Sequence, residues 1–147
     1  MAAKVILLAL RLVIGGVFIF AGAVKAWAAQ DFAREIQHYA IVPWPGLIVA
    51  LAVYLPWVEM LAGFAVVLRR LYLGALAAIA GMMLIFTCAL TSAWARGLDI
   101  SCGCFREERE SIRANFPALL ARDLGLLAGA CVLLAAEFRV RRRGHAL

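Results

Sequence analysis

The sequence predicts an all-α integral membrane protein, a bundle of four transmembrane helices, and three observations carry that expectation. The 147 residues are 66% hydrophobic and 16% charged, whereas a soluble domain is roughly half apolar and about a quarter charged. The mean hydropathy is +0.94, so the surplus apolar surface needs lipid as its solvent. Four apolar runs reach the roughly twenty residues that a helix needs to cross about 30 Å of hydrocarbon.

The first run extends from about Val5 to Ala29 and contains Arg11 and Lys25. A cleaved signal peptide would also fit its start, with Lys4 and Arg11 as the basic region, Leu12 to Phe20 as the apolar core and Ala21-Gly22-Ala23 as the cleavage site. Val5 to Leu10 is already apolar, however, which favours a retained span. The second run, Trp44 to Leu68, contains only Glu59, and Pro43 and Pro45 mark its entry. The third, Leu71 to Trp94, is uncharged, and the Arg69-Arg70 turn before it makes spans two and three antiparallel neighbours. The fourth runs from about Phe116 to Phe138, with Arg122 and Asp123 in its first turns and Glu137 at its end. Asn115 and Pro117 suit a helix start there. No repeat or flexible linker divides the chain, so a single domain over residues 1–147 is expected.

The net charge of +6 is assigned to orientation and to anionic lipid headgroups. Basic residues do not interleave with aromatics, which argues against nucleic acid as a partner. Lys4, Arg69, Arg70, Arg139 and Arg141 to Arg143 fall on one side; Arg34, Arg96, Arg106, Arg109 and Arg113 are spread over longer loops on the other. The denser side predicts cytoplasmic termini in a bacterial inner membrane. The loop with Cys102 and Cys104 then faces the periplasm, where disulfides persist.

Charges inside a bilayer should pair. Counting about 1.5 Å per residue from the span ends, Lys25 and Asp123 lie at similar depths below the outer surface. Arg11 and Glu59 differ by about one turn near the inner side. The expected pairs are therefore Lys25–Asp123 and Arg11–Glu59. Alternatively Arg11 snorkels inward and leaves Glu59 protonated or paired elsewhere. Pro56 frees the carbonyl of Ala52 close to Glu59. These residues form either a polar site for a headgroup, quinone or proton, or structural contacts between helices.

Cys102-Gly103-Cys104 is the most chemically informative motif. Gly103 permits a turn that brings two sulfurs together, and a bridge across one residue is strained and hence reducible. Arg96 and Arg106 favour a thiolate. A two-thiolate soft-metal site and an inert bridge are the competing readings. By residue counting, Cys88 lies about 9 Å and Cys131 about 21 Å inside the outer boundary, too far apart in depth to pair. Cys131 is expected to pack. Cys88 is either a packing residue or a resolving thiol for the loop pair. His38 is expected to be exposed, with proton acceptance near the cysteines as the alternative. Among Trp27, Trp44, Trp57 and Trp94, three lie at span ends, as in an aromatic belt.

The run Gly22 to Trp27, then Pro56-Trp57-Val58-Glu59 with Gly63, then Ile100 to Phe105, then Arg122-Asp123-Leu124 resembles the MauE branch of the DoxX-like four-helix membrane proteins. The resemblance covers nearly the whole chain and departs from the family pattern at Arg106, where glycine is expected. It implies a role in maturing disulfide-rich periplasmic proteins, methylamine dehydrogenase being the name-giving case. It also assigns thiol–disulfide exchange to Cys102, Cys104, Lys25, Glu59, Arg122 and Asp123. On this basis Cys102 and Cys104 exchange electrons with a thioredoxin-like periplasmic or membrane-anchored thiol partner and with a quinone, whose site would be lined by Lys25, Trp27 and Asp123. The rival expectations are a mercury or copper carrier that uses Cys102, Cys104 and Cys88 as ligands, and a non-catalytic scaffold of a maturation complex.

Overall fold

A computed structural model describes residues 2–98 and 112–144, with side chains over 4–98 and 116–140. Five helices follow in order: α1 (Ala2–Trp27), α2 (Ala29–His38), α3 (Pro45–Leu68), α4 (Tyr72–Ala95) and α5 (Ile112–Gly144). Four of them, α1, α3, α4 and α5, are long and apolar enough to cross a membrane. The expected four-span architecture is therefore present, with all four spans ending within about two residues of the expected bounds.

Two boundaries differ from expectation. The helix that carries the fourth span begins a turn before it, at Ile112, so that Pro117 sits inside α5 instead of at its start, while the apolar stretch itself runs Phe116–Val140, as expected. The connection after α1 is not merely a loop: it contains α2, whose sequence AQDFAREIQH places Phe32 and Ile36 one turn apart on an apolar face. Ten residues are too few to cross a bilayer, and a search for long apolar runs passes over them.

The α1–α3 contact is the most extensive in the bundle, followed by α4–α5; α3 and α4 touch less, although a three-residue turn joins them. In that turn Arg69 and Leu71 adopt left-handed φ values of 56° and 50°, a conformation that costs side-chain-bearing residues energy. Arg69 Nη2 donates to Glu137 Oε2 at 3.1 Å, tying the turn to the end of α5.

Glycine explains the α1–α3 pairing. A Cβ on Gly22 would stand 2.6 Å from the carbonyl oxygen of Pro56, and one on Gly63 would stand 2.7 Å from that of Gly15. Without hydrophobic drive between helices in lipid, such close backbone approach is what holds spans together. Gly22 against Pro56 and Met60, and Gly15 against Gly63 and Val67, fix one antiparallel register along both helices.

The packed core fills the half of the bundle near the α3–α4 turn. Ile14, Phe18, Val66, Leu76, Ile79, Ala130 and Leu133 meet there from all four spans. The opposite half is less tightly filled. There α2 lies against α3, and Arg96 at the end of α4 donates to the carbonyl of Tyr39 at 2.6 Å. Trp94 stacks on Phe116 with ring centroids 4.6 Å apart. The segment carrying Cys102 and Cys104 leaves α4 and enters α5 at this same end; both cysteines lie outside the described residues.

Candidate functional site

The less filled half contains a cavity of about 270 Å³, near the small end of ligand-binding pockets. All five helices contribute to its lining. Its walls are apolar, from Val17 and Phe18 on α1, Leu51 and Leu55 on α3, Met82, Met83 and Phe86 on α4, and Leu126 on α5. Lys25, Glu59, Arg122 and Asp123 bring charge into it.

Lys25 Nζ donates to Glu59 Oε1 at 2.6 Å, with the two side chains 3% and 7% exposed. The expected pairs Lys25–Asp123 and Arg11–Glu59 are thus corrected to Lys25–Glu59. Counting from span ends assumed that α1 and α3 end at the same level. The glycine register instead sets Lys25 opposite the turn around Leu55, so α3 projects well past the end of α1. Side chains on a helix lean toward its N-terminus. In an antiparallel pair those leans converge, and Lys25 reaches toward Glu59 from one turn away. Arg11 remains nearer the other end, within electrostatic range of Tyr72, and its Nε is buried without a hydrogen-bond partner.

Asp123 is fully buried. Its Oδ1 accepts from Arg122 Nε at 3.0 Å and from Nη2 at 2.9 Å. Successive residues on a helix point about 100° apart, so Arg122 must fold back to make this fork, and its side chain is left partly exposed. The four charged groups sum to zero, which makes burying them in an apolar bundle tolerable.

Several contributors were not singled out from sequence. The Lys25 ammonium lies 5.2 Å from the centroids of both Phe32 and Phe86, a cation–π arrangement. Phe32, Ile36 and Tyr39 form an i, i+4, i+7 stripe from α2 into the cavity; that spacing was the available signal. Trp27, expected to line the site, is 88% exposed and lies outside the cavity lining, because two residues beyond the buried Lys25 it points from the opposite side of α1. Cys88 and Cys131 are free and exposed. Cys88 lies outside the cavity lining, whose α4 positions include Ile85, Phe86 and Ala89. Cys131, expected to pack, is displaced from the interior by Ala130 and Leu133. His38 is exposed at the end of α2. Among the described residues, no group of His, Cys, Asp and Glu is arranged to hold a metal ion.

Four lipid-compatible helices around a buried, charge-balanced cavity define a multi-pass membrane protein with an internal polar site. No curated protein and no solved structure matches the chain. One family model, described as methylamine utilisation protein MauE, matches residues 3–136. The chain belongs to the MauE family.

Proposed function

We propose that this protein is a membrane thiol–disulfide exchange protein that serves the maturation of disulfide-containing proteins in methylamine utilisation. The observation that carries the reading is the convergence of Lys25, Glu59, Arg122 and Asp123, from three different spans, on one cavity. That cavity lies in the half of the bundle where the Cys102–Cys104 segment is tethered to α4 and α5. A purely structural pair would not require a cavity beside it.

In the direction of disulfide formation, a thiolate of a thioredoxin-like partner attacks one sulfur of the Cys102–Cys104 disulfide and the other sulfur leaves as thiolate. The partner's second thiolate then resolves the mixed disulfide. The partner has lost two electrons and two protons, and Cys102 and Cys104 have gained them as thiols. A membrane quinone supplies the two-electron, two-proton acceptor that restores the disulfide. The apolar walls of the cavity fit the ring of a quinone or its quinol, with Lys25 and Arg122 as donors and Glu59 and Asp123 as acceptors for its polar groups. Both termini are cytoplasmic in this scheme and the Cys102–Cys104 loop is periplasmic, in keeping with the dense Arg69, Arg70 and Arg139 to Arg143 side.

Two measurements test this. A membrane-impermeant maleimide should modify reduced Cys102 and Cys104 in intact spheroplasts; labelling that needs permeabilised membranes would reverse the orientation. Cys102→Ser and Cys104→Ser, expressed singly, should differ in trapping a mixed disulfide with a partner, detectable by mass spectrometry, because only one sulfur is attacked first. If neither variant traps any partner and the wild type binds one equivalent of a soft metal ion instead, exchange is not the activity.

A further inference from the structure

Each buried carboxylate in the cavity has one oxygen engaged and one unengaged. Glu59 Oε1 accepts from Lys25 and Asp123 Oδ1 accepts from Arg122. Glu59 Oε2 and Asp123 Oδ2 are buried with no hydrogen-bond partner. The two residues are 5% and 0% exposed, and both line the cavity. Buried acceptors left unpaired are costly, and native structures rarely keep them without a purpose. Only a hydrogen-bond donor satisfies them.

The surroundings limit what can bring that donor. The walls are apolar, and Ile41 and Ile85 belong to the lining while being 48% and 73% exposed. Ile41, before α3, and Ile85, on α4, are thus exposed apolar residues at the edge of the cavity, which gives a lipid-dissolved ligand a way in. A ligand entering there is lipophilic and carries hydroxyl donors.

The geometry points to a site that holds the reduced, dihydroxyl form of a lipid-soluble quinone, with the Glu59 and Asp123 carboxylates turning their buried oxygens, Oε2 and Oδ2, toward the cavity to accept its hydroxyl hydrogens. The ligand class rests on the exchange reading above; the preference for the reduced form rests on the two unengaged oxygens. A quinone offers only carbonyl lone pairs, which oppose carboxylate oxygens. A quinol offers two O–H groups, and hydrogen bonds to a charged acceptor are among the stronger ones. The site therefore discriminates between two molecules of nearly equal size and hydrophobicity.

The test uses the full chain carrying Cys102→Ser and Cys104→Ser, purified in detergent, so that the loop thiols cannot exchange electrons with the ligand. Decylubiquinol, decylubiquinone and the dimethyl ether of decylubiquinol are compared by anaerobic equilibrium binding. Decylubiquinol should bind at least about tenfold more tightly than either of the others, the effect of one retained charged hydrogen bond. Glu59→Gln and Asp123→Asn should shrink that ratio toward one, since each amide can turn a donor toward the ligand. Equal or tighter binding of the quinone or the ether overturns the proposal, and the three-ligand comparison decides even if a variant fails to fold. Because this protein lacks both loop cysteines, its result is independent of the partner-trapping experiment, and either reading can fail alone.

Discussion

Lys25→Leu or Glu59→Leu should each destabilise the detergent-solubilised protein by about 3–5 kcal/mol, the cost of leaving a buried charge without its partner. The double replacement should cost less than either single one, since no uncompensated charge then remains. Thermal melting in a mild detergent measures all three. The Lys25–Glu59 contact at 2.6 Å is nearly solvent-free, so solvent screening removes little of the effect. Glu59→Gln should fall between wild type and Glu59→Leu, because an amide still accepts from Lys25. The cycle also distinguishes this pairing from the one that residue counting favours. Arg11→Leu combined with Glu59→Leu should be additive, as befits residues without a shared contact. Strong coupling between Arg11 and Glu59, with none between Lys25 and Glu59, would refute the pairing.

Gly63→Ala and Gly22→Ala should each cost about 1–3 kcal/mol by overpacking. The added methyl on Gly63 would meet the Gly15 carbonyl oxygen at 2.7 Å and the Ile19 nitrogen at 3.0 Å; on Gly22 it would meet the Pro56 carbonyl oxygen at 2.6 Å. These are backbone atoms, so relief requires α1 and α3 to move apart. That motion would lengthen the Lys25–Glu59 contact and loosen the cavity, so quinol binding should weaken together with stability. Gly16 provides the control: nothing lies within 4 Å of its added Cβ, and Gly16→Ala should be neutral or gain up to about 1 kcal/mol from helix propensity. A Gly63→Ala protein that melts with Gly16→Ala would show that the close seam between α1 and α3 does not exist.

The four spans were legible because membrane crossing is a one-dimensional requirement. Each of Val5 to Ala29, Trp44 to Leu68, Leu71 to Trp94 and Phe116 to Phe138 satisfies the bilayer by its own length and composition, before any helix meets another. That Lys25, Glu59, Arg122 and Asp123 needed shelter inside the bundle was legible for a related reason. An ionisable residue inside such a run is costly enough to need a partner. Which of them would touch was not legible. Partner choice depends on the relative height of two helices, which glycine contacts between Gly15 and Gly63 and between Gly22 and Pro56 set, and span ends do not report it. The part played by α2 was equally hidden. Phe32 acquires its place beside Lys25, and Tyr39 its place in the cavity wall, only when a ten-residue helix folds over the open half of the bundle, a position fixed by its packing on α3 and by the Arg96 contact with Tyr39. Composition and hydropathy thus determined that the chain lives in lipid and which charges it must shelter. Tertiary packing decided how those charges pair, because sliding one helix past its neighbour by about two turns exchanges one partner for another at little change in the hydrophobic area of either.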